Sequence, residues 1–320
     1  MITLERILSR MSKRGQRLIL QQAPLKELAK NMEISAENVE FLLDLHEKKN
    51  FKGYSFQLNS SYFSSILKKF ISENENNQEA EDIVENCYEV LGCLMSRRHK
   101  EVEANVEKIF IVQANDMGDQ NDFPICIVED KATISQGTTG LSTWGASLYL
   151  LEYLSRNPSI ISGKNLMELG SGCGLLGLGC AALGASNVLM TDISELVLDR
   201  IQINISRNKG LHHKVSVSRL DWANVDLKPR GDLDMVLAAD VVFDPSIIPE
   251  LVDCISKLGL FCLMSLTERN KDTLELFMTE IRKAGLQITT IQFAKQEALY
   301  YYAEETPIHL FNITPSDHLR

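Results

Sequence analysis

The chain has 320 residues, 44% hydrophobic and 24% charged, which is enough apolar material for a full core and reads most simply as two domains. Its 33 basic and 43 acidic side chains leave a formal charge of −10, which argues against a nucleic-acid backbone as the main partner and favours a basic one. No apolar run reaches the length of a membrane span, and the six histidines show no metal-ligand spacing, so neither a membrane nor a metal is expected.

Residues 1 to about 105 read as helical. The first 20 residues carry five basic side chains beside Glu5, a faint likeness to a targeting presequence. Leu4, Ile7, Leu8 and Met11 fall at helical spacing, however, and are read as an amphipathic first helix. Leu25, Leu28, Ala29 and Met32 give a second stripe, and Val39, Leu42, Leu43 and His46 a third, opened by Ser35. Tyr62 to Phe70 continues the pattern. Residues 72–86 hold six acids and no base, an exposed turn leading into a helix whose apolar face is Ile83, Cys87, Val90 and Leu91. Nothing in this region has catalytic spacing. It reads as a packing domain or as a surface for docking a protein substrate.

From Lys108 the period changes. Lys108–Gln113 and Phe123–Val128 are short β runs separated by a turn-rich linker, and together suggest a hairpin ahead of a main sheet. A Gly137-Thr-Thr-Gly140 loop then leads into a helix with Trp144 in its first turns. The seven cysteines are scattered, with no Cys-x-x-Cys pair. Reduced thiols of this kind suit a cytosolic compartment.

Asn165 to Gly174 is the stretch on which the second half turns. An apolar strand runs into Gly170-Ser-Gly172-Cys-Gly174, and Met190-Thr-Asp192 ends the next strand with an acid where a carboxylate can take both hydroxyls of a ribose. A dinucleotide fingerprint would place a third glycine at 175, which is Leu175. The spacing, with Glu168 two positions earlier, suits a nucleoside ligand without phosphate, of which S-adenosylmethionine is the common one. A tight turn in any α/β protein would use the same glycines. Helices and strands alternate from here. Val215–Leu220 delivers Asp221-Trp222, Asp234–Ala239 delivers Asp240-Val-Val-Phe243, Leu260–Leu266 follows, and Ile288–Phe293 and Ile308–Ile313 close the sheet. That order predicts a doubly wound parallel sheet with its ligand beyond the carboxyl ends of the strands, where all these acids fall.

In sequence order, Gly137-Thr-Thr-Gly140 with Trp144, Glu168-Leu-Gly-Ser-Gly-Cys-Gly174, Asp192, Leu220-Asp-Trp222 and Ala239-Asp-Val-Val-Phe243 resemble the seven-β-strand protein-lysine methyltransferases. Phe51 to Glu73, Ile134 to Trp144 and Leu266-Thr-Glu-Arg-Asn270 resemble those members that modify elongation factor 2. The likeness runs from about residue 50 to the end. It implies a Rossmann-like, seven-stranded domain over 106–320 behind a helical domain over 1–105. It also implies S-adenosylmethionine as cofactor and a protein substrate, elongation factor 2, met by a cytoplasmic monomer. By the same resemblance Gly170, Ser171 and Gly172 bind the methionine end, Asp192 the ribose, Trp222 the adenine, Ala239 the ligand through its backbone, and Trp144 the methionine or ribose side. Asp240 and Phe243 take the catalytic positions beside the acceptor amine. Phe243 stands where many relatives carry tyrosine, so no role can rest on a phenol oxygen there. A nucleic-acid amino-methyltransferase would carry Pro-Pro where this chain has Val241-Val242. A non-catalytic binding module or a nicotinamide enzyme would account less well for the same positions.

Overall fold

The computed structural model describes residues 13–31, 34–51, 54–55, 58–97, 105–113, 122–132, 137–225, 232–293, 298–302 and 305–315. The expected stripe Leu4–Met11, the linker at 115–121 and the stretch 134–136 lie outside them. Two compact units divide the chain, Met1–Phe110 and Ile111–Arg320.

The first unit is helical: α1 (Lys13–Leu20), α2 (Leu25–Asn31), α3 (Ala36–Lys48), α4 (Ser60–Asn74) and α5 (Glu81–Arg97), with a small antiparallel pair β1 (Asn50–Phe51) and β2 (Tyr54–Ser55) between α3 and α4. Ser35 caps α3 by accepting from the Asn38 N–H, and Asn59 caps α4 by accepting from the Ser61 and Tyr62 N–H groups. Such caps supply acceptors for amides that have none within the helix. On α3 the buried residues are Val39, Phe41, Leu42 and Leu45, so the apolar stripe is turned slightly from the expected one that ended on His46. The aromatic Phe41 carries more buried area than a half-polar histidine and sets the face.

β3 (Asn105–Val112) crosses the boundary between the units and β4 (Phe123–Asp130) follows in the second, strands where the two β runs suggest them. The main sheet has seven strands: β5 (Asn165–Leu169), β6 (Asn187–Asp192), β7 (Val215–Arg219), β8 (Met235–Ala239), β9 (Cys262–Thr267), β10 (Leu286–Thr290) and β11 (Ile308–Pro315), in the order β10-β11-β9-β8-β5-β6-β7. The helices α6 (Gly145–Arg156), α7 (Leu175–Ala182), α8 (Glu195–Arg207), α9 (Ile248–Leu258) and α10 (Lys271–Lys283) connect or flank the strands. Strand position follows from burial pattern. Leu166–Leu169 and Met235–Ala238 are unbroken buried runs and hold the centre, whereas Val215–Arg219 and Leu286–Thr290 are partly exposed and take the edges. The sheet is not wholly parallel. β11 runs antiparallel to both β9 and β10, and among the described residues between β10 and β11 no helix intervenes.

β4 meets α8 through two asparagines rather than through apolar packing alone. Asn208 accepts from the Cys126 N–H (3.0 Å) and donates to the Cys126 carbonyl (2.8 Å). Asn204 does the same with Val128, at 2.8 and 3.2 Å, and also donates to the Cys173 carbonyl at 2.8 Å. The geometry is commensurate: four residues of helix rise about 6 Å and two residues of strand about 6.8 Å. Arg200, one helical turn earlier, pairs with Asp130 at 2.7 Å. Both asparagines are fully buried. Asn208→Ala removes this partner from the Cys126 peptide groups and is expected to cost about 2 kcal/mol, measured as a shift in urea midpoint at unchanged slope.

Candidate active site

The site starts where β5 ends. Gly170 and Gly172 have φ of +64° and +53°. A Cβ on Gly170 would stand 2.7 Å from Val241 Cγ1, and one on Gly172 would stand 3.3 Å from the Gly140 carbonyl oxygen. The turn therefore needs glycine twice over, for its left-handed backbone and for the closeness of its neighbours. Ser171 faces the other way. Its Oγ accepts from the Thr191 N–H at 3.0 Å, and its own N–H donates to the Thr191 carbonyl at 2.8 Å. Ser171 is buried, and this pair of hydrogen bonds braces the turn against β6.

Asp192 closes β6 with its carboxylate turned back to the turn. Oδ1 accepts from the Ser194 N–H at 3.1 Å and Oδ2 from the Gly172 N–H at 3.4 Å. Burial lifts its carboxyl above the ordinary aspartate value, and these amides pull it back in part. Asp221 caps the short turn after β7, accepting from the Asn224 side chain (2.9 Å) and the Ala223 N–H (3.1 Å), which hold its carboxyl below the usual value. Trp222 follows, half-buried, its ring 3.5 Å from where a Gly170 Cβ would be. On the loop before α6, Trp144 donates from Nε1 to the Thr139 carbonyl at 2.9 Å, which fixes the indole against the Thr138–Gly140 loop.

The end of β8 supplies Ala239, Asp240 and Phe243. Val241 and Val242 are buried, while Phe243 is 50% exposed. Asp240 has φ +57°, a left-handed backbone unusual outside glycine, for which aspartate and asparagine are the commonest exceptions. Its carboxylate lies in the cavity wall with both oxygens already accepting hydrogen bonds. Thr267 and Arg269, from the end of β9 and the link beyond it, donate to both oxygens.

These elements enclose one cavity. Trp144, Gly170, Gly172, Asp192, Trp222, Ala239, Asp240 and Phe243 line it, and so do Thr138, Gly140, Ile193, Ile247 and Glu250, which the sequence reading left without a role. Ile193 directly follows the strand-end acid, and Glu250 sits on the first turn of α9. Neither position has a motif that would single it out. Arg269 lies within the Leu266–Asn270 stretch, so its signal was present without an assigned role. Among the described residues the lining contains the four carboxylates of Asp192, Asp221, Asp240 and Glu250 and no lysine or arginine. Among the described residues, too, no group of acids, cysteines and histidines is arranged to hold a metal ion, and no helix is long and apolar enough to cross a membrane.

The lining fits a nucleoside sulfonium. An indole offers a face for adenine, a strand-end carboxylate suits a ribose diol, a glycine turn permits close approach, and acidic walls suit positive charge. The seven-stranded sheet, with its glycine turn at the end of β5, is a Rossmann-like α/β fold.

Comparison with known proteins narrows the class. The profile described as lysine methyltransferase matches residues 121–284, and the chain belongs to that family. It is 31% identical over 276 residues to the protein-lysine N-methyltransferase EFM3 of Chaetomium thermophilum, covering 78% of this chain and 82% of that one. It is 32% identical over 212 residues to human protein-lysine N-methyltransferase EEF2KMT, covering 59% of this chain and 64% of the human protein. Against EFM3 of Saccharomyces cerevisiae it is 29% identical over 225 residues, 60% of this chain and 66% of that protein. The protein is an S-adenosylmethionine-dependent protein-lysine N-methyltransferase.

Proposed function

We propose that the acceptor is a lysine of elongation factor 2, modified in the cytoplasm, and that the helical residues 1 to about 105 help to hold that substrate. The observation that carries this reading is the similarity, over most of the chain, to relatives named EFM3 and EEF2KMT. The acid-lined cavity beside an exposed Phe243 supports a basic segment as the visitor.

In this reading Gly170 and Gly172 let the methionine end of the cofactor approach the backbone, Asp192 holds the ribose, and Trp222 covers the adenine. Trp144 and the Ala239 backbone complete the donor side. Ser171 acts through its brace to Thr191. The bound cofactor supplies a methyl group on a positively charged sulfur. What the chain must supply is alignment and an uncharged amine. An unperturbed lysine has a pKa near 10.4, and a wall formed by Phe243 favours the neutral amine by excluding water. Asp240 and Phe243 stand on the acceptor side, with Asp240 working through the residues that hold it.

The direct test incubates the enzyme and tritiated cofactor with a translation extract. Label is expected on elongation factor 2, and it should vanish when the acceptor lysine of that factor is changed to arginine. Label on another protein or on RNA would reject the substrate while leaving the enzyme class intact.

A further inference from the structure

We infer that Arg269 is a positioning residue for methyl transfer, which clamps Asp240 and Trp144 into one wall and keeps the Asp240 charge from stabilising the acceptor as an ammonium. The inference rests on the reading that the acceptor amine enters beside Asp240 and Phe243. Asp240 Oδ1 accepts from Arg269 Nη1 at 2.9 Å and from the Thr267 N–H at 3.0 Å. Oδ2 accepts from Arg269 Nη2 at 2.7 Å and from Thr267 Oγ1 at 3.1 Å. Each oxygen thus holds two donors, and the guanidinium meets the carboxylate as a two-pronged fork, a geometry lysine cannot reproduce. The same guanidinium lies over the Trp144 ring, with Cζ 4.8 Å from its centroid. One side chain therefore joins the ends of β8 and β9 to the loop before α6.

The chemistry gives this clamp a purpose. A carboxylate beside an incoming lysine favours the charged amine, which has no lone pair to donate. Paired with a guanidinium, the same carboxylate belongs to a neutral unit and holds a proton on the lysine less strongly. The other charged groups near the wall are Asp192, Asp221 and Glu250 in the cavity, and Glu268, whose Oε2 is 2.6 Å from His309 Nε2. None of these touches the Asp240 oxygens.

The test compares wild type, Arg269→Gln, Arg269→Lys and the double variant Arg269→Gln/Asp240→Asn. Each is assayed on whichever protein band of the translation extract the wild-type enzyme labels, so rejection of elongation factor 2 would leave this experiment intact. For Arg269→Gln, Thr139 still holds the Trp144 indole, so donor Kd by calorimetry should stay within about threefold, while kcat should fall roughly tenfold or more and the rising limb of the pH–rate profile should move about one unit to higher pH. Arg269→Lys keeps the charge without the fork, so it should hold the wild-type profile position at a reduced kcat. Adding Asp240→Asn to Arg269→Gln should return the profile to its wild-type position, an effect opposite to additive damage. A profile that does not move in Arg269→Gln, or a donor affinity that falls as far as kcat, would overturn the inference and leave Arg269 as a fold contact.

Discussion

Asp192→Ala is expected to raise the Kd for S-adenosylmethionine roughly 10- to 150-fold. The estimate is the about 1.5–3 kcal/mol carried by a hydrogen bond to a charged group. Asp192 holds its place through two backbone amides, Ser194 and Gly172, so its carboxylate is already oriented before a ribose arrives. Burial raises the free energy of the ionised carboxylate, and a diol that donates to it would recover part of that cost. Asp192→Asn keeps one oxygen acceptor and should weaken binding less. Calorimetry on wild type and both variants decides the matter, with thermal denaturation confirming that each is folded. Equal affinity in all three would remove Asp192 from the donor site.

The second large effect concerns Glu168, buried behind the glycine turn at 2% exposure. Desolvation raises its pKa from 4.5 to about 8, and the nearby Asp192 adds to the rise, while Ser171 and Gly177 offset it only in part. A carboxyl with a raised folded value holds its proton in the native state and loses it on unfolding. Its contribution to stability is complete below pH 4.5 and is lost as pH climbs towards about 8. At about 1.4 kcal/mol per unit, the loss across that window is on the order of 3–5 kcal/mol. Glu168→Gln replaces the neutral acid with a neutral amide of the same shape. The variant should match wild type in urea denaturation at pH 5 and exceed it in stability at pH 8. Parallel curves for the two proteins across this range would show that Glu168 is ionised in the native state.

Much of the second half was legible because its signals are local. A buried apolar run before a glycine turn, an acid at the next strand end and a 3.6-residue period between them are consequences of chain geometry at short range. Trp144, Gly170, Gly172, Asp192, Trp222, Ala239, Asp240 and Phe243, read from separate stretches, share one cavity. Two features could not be read in this way. The Ser171 hydroxyl accepts from the Thr191 N–H, and the Asp240 carboxylate accepts from Thr267 and Arg269. Each partner lies 20 residues or more away in sequence, and neither pairing leaves a periodic trace. The same holds for the reversed strand β11, whose alternation looks alike in either direction.

The Asn204–Asn208 pair has a consequence for how this protein avoids other chains. An open strand edge is a template on which a foreign strand can add, and proteins commonly close such edges with charge, proline or a covering element. Here the covering element is a helix that presents side-chain amides, each turning one N–H and its carbonyl oxygen to the strand as a peptide group would. To β4 the helix looks like a neighbouring strand, while its own backbone is already satisfied and offers nothing further to pair with. The edge at Cys126 and Val128 is thereby terminated rather than passed on, and aggregation through it would first require breaking four buried hydrogen bonds.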